Sequence, residues 1–160
     1  MATSTPSQTP AAPLDLVIFG GTGDLARRKI LPGLYRRFLA GQMPANARII
    51  GAARSEMDDA GFRDLVRGAI EEFVDAPKRD SAQIEAFLGA MHYVPIDATG
   101  EGGWKILKKL VRQDVIQAFY FSVAPSLFGA LAERLHSNGI ANPQARIVVE
   151  KPFGRDLASA

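Results

Sequence analysis

The stretch Leu14-Asp15-Leu16-Val17-Ile18-Phe19-Gly20-Gly21-Thr22-Gly23-Asp24-Leu25-Ala26 decides the fold. Leu14 and Leu16 to Phe19 form a short apolar run that stops at Gly20. A continuous run of this length suits a parallel strand buried on both faces. Beyond the glycines, Leu31, Leu34, Tyr35, Phe38 and Leu39 fall at i, i+3, i+4, i+7 and i+8, which is one face of a helix. Pro32 lies inside that stretch. It either kinks the helix or marks where one segment ends and another begins. Gly41 and Pro44 close the helix. A strand that turns on glycines into a helix is an arrangement suited to phosphate. The glycines allow a tight turn and close backbone approach, and the helix start presents unpaired amides and a positive dipole end.

The alternation continues outward. Arg48–Ala53 reads as a second strand, followed by a helix with Phe62, Leu65, Val66, Ala69, Ile70, Phe73 and Val74 on one face. Asp58 and Asp59 are placed to cap its start, and either is also close enough to the second strand in sequence to serve as a ribose acid. A shorter helix, Ala82–Leu88, leads to a strand around Met91–Ile96, then to a helix carrying Trp104, Leu107 and Val111. Val115–Val123 is a fourth strand, and a helix runs from about Pro125 to Ser137, stopped by Asn138-Gly139. Arg146–Glu150 is a fifth strand, read as buried and ended by Lys151-Pro152. This pattern predicts an α/β fold, a doubly wound, mostly parallel sheet with helices on both faces. Ligands then bind beyond the carboxyl ends of the strands. The positions to watch are 20–26, 54–55, 97–98, 122–126 and 150–154.

The motif Gly20-x-x-Gly23-x-x-Ala26 departs from the commoner G-x-G-x-x-G, because its second glycine comes one place later. Read alone, it is either a dinucleotide loop or a plain glycine turn; its strand–loop–helix setting favours the former. Arg54 follows the second strand directly. An acid there would bind the ribose 2′-hydroxyl of NAD, whereas an arginine accommodates the 2′-phosphate of NADP. Ser55 offers a hydroxyl donor beside it. Lys151 is held extended by Pro152 and aimed in one direction, the bond between them being open to either isomer. By position alone it is an anion ligand or a strand-end surface lysine. His92, at a strand start, and His136, in a last helical turn, are poor candidates for a catalytic base.

Composition narrows the function classes. The chain has 160 residues, 47% hydrophobic and 22% charged, which is ordinary for a folded domain. With no cysteine and two histidines, disulfide scaffolds, thiolate metal sites and histidine-rich metal sites are excluded, so no metal is expected. Net charge is only +2, weak support for a nucleic-acid partner. The cluster Arg27, Arg28, Lys29, Arg36 and Arg37 reads as a solvated helix face without an aromatic stacking set. No apolar segment is long enough to span a membrane, and residues 1–13 have no signal-peptide pattern. They read as a disordered tail, and the expected location is cytoplasmic.

Four segments, Phe19–Tyr35, Gly51–Ser55, Tyr120–Pro125 and Ile147–Leu157, resemble the glucose-6-phosphate 1-dehydrogenase family in order and spacing. The resemblance covers nearly the whole chain after residue 13. It implies a Rossmann-like NADP-binding domain at 14–160, with the family's second α+β domain absent. It implies that Gly20, Gly21, Thr22, Gly23, Asp24, Leu25, Ala26 and Arg27 wrap the coenzyme pyrophosphate. Arg54 would bind the 2′-phosphate, and Lys29 would lie near the site centre. Lys151 would contact both the sugar substrate and the nicotinamide end, with Pro152 switching that loop. Several family members have a coenzyme-contacting tyrosine where this chain has Phe128, which can pack but not donate a hydrogen bond.

The implied reaction is oxidation of glucose 6-phosphate to 6-phosphogluconolactone in the pentose phosphate pathway, with NADP as acceptor and NAD as second choice. The implied enzyme is a homo-oligomer assembled through the absent domain. The family signature R-I-D-H-Y-L-G-K, which carries the catalytic histidine, does not occur in this sequence. The chain is therefore expected to be a fragment that binds coenzyme and is inactive alone. Two other classes stand beside this one. A non-catalytic NADP-binding regulatory module needs only the glycine loop and Arg54. A nucleic-acid-binding protein would rest on residues 27–37.

Overall fold

A computed structural model describes residues 13–44 and 46–149. Five strands, β1 (Leu14–Phe19), β2 (Arg48–Ala53), β3 (Met91–Pro95), β4 (Ile116–Phe121) and β5 (Arg146–Val149), form one parallel sheet in the order β3-β2-β1-β4-β5. This is the doubly wound α/β arrangement expected. β1 is central, and its last five residues are buried. Side chains alternate across a strand, so a strand covered on both faces must be apolar at consecutive positions.

The two faces have separate cores. Leu16, Ile18 and Ile49 pack with α1 (Leu31–Leu39), α2 (Asp59–Phe73) and α3 (Ser81–Leu88). Val17, Phe19, Ile50, Phe119 and Phe121 pack with α4 (Trp104–Leu110) and α5 (Phe128–Ser137). The connections leave β1 and β4 on opposite faces, so the switch point lies between these two strands, above Gly20 and Ser122.

Local departures from the sequence reading have identifiable causes. Ala26–Ile30 winds as a π-helix, with the Leu31 amide donating to the Ala26 carbonyl. Pro32, second in α1, has no amide for the preceding turn, and a wider turn there accommodates the loss. The proline thus marks a junction between two segments. The first turn after Pro125 is 3-10, and β4 is shorter at both ends than expected. Asp58 caps α2, its Oδ1 accepting from the Gly61 amide at 2.8 Å. Asp59 does not cap. Its Oδ1 accepts the Tyr93 amide at 2.8 Å, and Arg63 donates to the Met91 carbonyl at 2.9 Å, so α2 closes the outer edge of β3.

β5 corrects the sequence reading most clearly. It was expected to be buried, yet all four residues are exposed, with Ile147 at 50%. Among the described residues β4 is its sole strand neighbour, and the apolar residues of α5 pack with Phe119 and Phe121 of β4 instead. The expected tail (apart from Pro13), Glu150, Lys151 and Pro152 lie outside the described residues.

Candidate functional site

Each glycine of the turn after β1 has its own neighbour. Gly20 has φ +82°, and a Cβ there would stand 2.1 Å from the Ser122 carbonyl oxygen. Its amide donates to the Ala52 carbonyl at 2.7 Å. A Cβ on Gly21 would come within 3.1 Å of Gly51 Cα on β2. These two glycines are therefore needed for packing between β4 and β2. Gly23 is exposed, and among the described residues only the Gly20 carbonyl oxygen, at 3.2 Å, lies near its missing Cβ. It leaves the outer side of the turn open. The Gly23 amide donates to Gly20 at 2.9 Å, and the Arg27 amide to Gly23 at 3.0 Å. Between them the helix begins, and first-turn amides have no partner within a helix. The turn and the helix start thus gather backbone donors that could hold a phosphate group.

Within this turn Thr22 is half-buried and Asp24 exposed, while Leu25 and Ala26 belong to the core. Arg27 is drawn toward α2, its guanidinium 3.5 Å from Glu72. Arg28 donates to Asp24 at 2.8 Å and stands 5.4 Å from the Phe73 ring centroid. Asp24 holds the Arg28 guanidinium above its usual pKa, chiefly by hydrogen bonding and then by charge. Lys29 is exposed on the π-helical segment.

Arg54 and Ser55 follow β2, beside the glycine turn, because Phe19 and Ala52 are register partners. Both are exposed. Arg54, Glu56, Pro95, Asp97, Gly103 and Ile106 line a cleft of about 420 Å³. Asp97 is committed to its own turn, its Oδ1 accepting from the Thr99 amide at 3.1 Å. Glu56 is exposed two residues beyond Arg54.

Two residues that hold this region were missed in the sequence. Gly51 sits inside β2, and a Cβ there would enter the Phe62 ring at 2.5 Å. Tyr93 packs on Phe62 with centroids 5.4 Å apart, and its hydroxyl donates to the Ser55 carbonyl at 2.7 Å, with the Ala53 carbonyl at 3.1 Å. Burial first, then the Glu56 charge, push the Tyr93 phenol up to about 12. A glycine within a strand signals close approach, which is a legible clue. Nothing local announces Tyr93.

The histidines stand apart from this edge. His92 Nδ1 is 3.3 Å from Asp59 Oδ2. His136 lies in the last turn of α5, which starts near the carboxyl end of β4 and runs back. Phe128 packs on Phe121, with centroids 5.6 Å apart. Among the described residues no group of acids and histidines is arranged to hold a metal ion. No helix among them is long and apolar enough to cross a membrane.

Comparison with known proteins finds the same pattern. The family model described as "Glucose-6-phosphate dehydrogenase, NAD binding domain" matches residues 17–160. The glucose-6-phosphate 1-dehydrogenase of Rhizobium meliloti (strain 1021) is 43% identical over 153 residues, covering 94% of this chain and 31% of that protein. That of Leuconostoc mesenteroides is 36% identical over 154 residues, covering 91% and 31%. The crystal structure of glucose-6-phosphate 1-dehydrogenase from Mycobacterium avium superposes with a TM-score of 0.80 at 34% identity, covering 93% of this chain and 31% of that one. A glucose-6-phosphate dehydrogenase in complex with its substrate superposes with a TM-score of 0.76 at 29% identity, covering 92% and 32%. The chain thus spans 31% of the length of both named relatives.

Proposed function

The chain belongs to the glucose-6-phosphate dehydrogenase family, as its NAD-binding domain, and from that premise we propose that it binds NADP for oxidation of glucose 6-phosphate to 6-phosphogluconolactone. One observation carries the reading. The open glycine turn after β1 and exposed Arg54 after β2 meet on adjacent strand ends. The turn would hold the pyrophosphate, and the Arg54 guanidinium would fork onto the 2′-phosphate. Bound there, the coenzyme supplies the hydride acceptor. Lys151 would contact the sugar substrate. Holding both reactants in line is the contribution of these residues.

The base is a separate matter. Neither histidine lies at the carboxyl edge, so the 160-residue chain binds coenzyme without turning over sugar. Glu56 favours NAD as second coenzyme, because a carboxylate near Arg54 can accept from a ribose hydroxyl. The protein works in the cytoplasm, and the complete enzyme assembles as a homo-oligomer through the part of its relatives' length that this chain does not span.

The test pairs a coenzyme titration with a steady-state assay of glucose 6-phosphate oxidation. The 160-residue chain should bind NADP and show no turnover; measurable turnover would refute the missing base. In the complete enzyme, Lys151→Ala should lower turnover far more than NADP affinity. Normal turnover would remove Lys151 from the substrate site.

A further inference from the structure

We infer that Tyr93 is a positioning residue for coenzyme choice, holding the backbone on both sides of Arg54 so that its guanidinium meets a 2′-phosphate. The inference rests on the NADP reading above and concerns a different residue of the same site. Arg54 is exposed, and its side chain has no hydrogen-bond or ion-pair partner among the described residues. Among these residues, the polar contacts that could order it are made by the backbone that carries it. The Tyr93 hydroxyl supplies that order, lying 2.7 Å from the Ser55 carbonyl oxygen and 3.1 Å from that of Ala53, the residues on either side of Arg54.

The clamp is itself seated. Tyr93 is 6% exposed, and its ring is backed by Phe62. Phe62 in turn fills the space that Gly51 leaves empty. Burial raises the phenol to about 12, so it remains a donor near neutral pH. A long side chain that must be ordered on binding loses affinity to conformational entropy, and a mobile anchor raises that loss. NAD lacks the 2′-phosphate, so the loss falls on NADP alone.

The experiment is Tyr93→Phe in the intact protein, which keeps the ring and removes the hydroxyl. Dissociation constants for NADP and NAD are measured alone and in an Arg54→Ala background. We expect NADP to weaken about fivefold, the scale of one net hydrogen bond, and NAD by less than about twofold. In the Arg54→Ala background the Tyr93→Phe effect on NADP should shrink to less than about twofold, as expected of coupled residues. Equal weakening of both coenzymes, or full additivity with Arg54→Ala, overturns the inference, since a purely structural tyrosine behaves that way. Phe62→Leu keeps the hydroxyl but loosens its seat, and should move the NADP-to-NAD ratio in the same direction by less. An unchanged ratio in both variants also overturns it. Arg54→Ala separates the two levels. If that substitution leaves the ratio unchanged, the NADP reading itself fails. If it collapses the ratio while Tyr93→Phe does not, only the role of Tyr93 fails.

Discussion

Asp15, at the amino end of β1, is completely buried, and its carboxylate is surrounded by donors from one residue. Oδ2 accepts the Arg112 amide at 2.6 Å, and Oδ1 accepts Arg112 Nη2 at 2.6 Å and Nε at 3.1 Å. Arg54, beyond the carboxyl end of β2, is exposed and has no ion-pair partner among the described residues. The contrast extends to neighbours. At the amino end Arg112 also donates to the Asn46 carbonyl, and buried Gln117 donates to Ile140 and accepts from the Asn142 amide. At the carboxyl end Gly23 is exposed, with only the Gly20 carbonyl near its missing Cβ among the described residues. Charge at one end of the sheet ties the chain together. At the other, Arg54 is left without such a tie among the described residues. A buried carboxylate is tolerated only when paired and hydrogen-bonded, so the amino end has no such freedom.

The largest test of this division is Asp15→Ala. Removing one partner of a buried pair should lower stability by about 3–5 kcal/mol, measured by urea denaturation. The folded fraction should keep its NADP affinity. Weaker coenzyme binding at unchanged stability would end the division of labour. Gly23→Val works at the opposite end. Its side chain should block the approach to the turn amides and push NADP and NAD affinities together toward the millimolar range, with the unfolding midpoint little changed. Unchanged NADP affinity in a folded Gly23→Val protein would count decisively against phosphate binding at the turn.

Arg54→Ala sharpens the comparison further. We expect a loss of roughly 1–3 kcal/mol for NADP, the range of a charge-assisted contact, and little for NAD. Equal losses would mean that Arg54 does not read the 2′-phosphate. Asp58→Ala asks whether an acid near the carboxyl edge is structural. As an N-cap it should cost about 1 kcal/mol of stability and leave the NADP-to-NAD ratio alone. The smallest effect belongs to the exposed pair of Arg67 with Glu85, 2.9 Å apart. Glu85→Gln should cost less than about 1 kcal/mol, and a larger loss in thermal unfolding would show that surface charge matters more than this division allows.

Much of the carboxyl edge is legible in the amino-acid sequence, because its signals are local. The apolar run at Leu16–Phe19, the glycines at 20, 21 and 23, and Arg54 at a strand end each declare themselves within a few residues. The misreadings share the opposite property. Asp59 resembles a second cap because it follows Asp58, but the β3 edge offers its carboxylate the Tyr93 amide. β5 reads as buried because Arg146-Ile147-Val148-Val149 is apolar after its first residue, but burial depends on which elements cover a strand, and among the described residues β5 lies at the sheet's edge. The form of the turn at Pro32 is open in the sequence, since a proline excludes a hydrogen bond without choosing between a kink and a junction.

The sequence by itself determined the α/β class, the five strands and the position of the glycine turn and Arg54. Hydrophobic period, glycine freedom and strand order along the chain are enough for these, and all are written within short spans. Tertiary structure decided the rest. It paired Asp15 with Arg112, 97 residues away, and set the Tyr93 hydroxyl against Ser55, 38 residues away. It also pressed Gly21 against Gly51 and Phe62 into the gap over Gly51. These contacts depend on which strands become neighbours, and neighbours are chosen by how the whole chain buries its two apolar faces, not by any local signal.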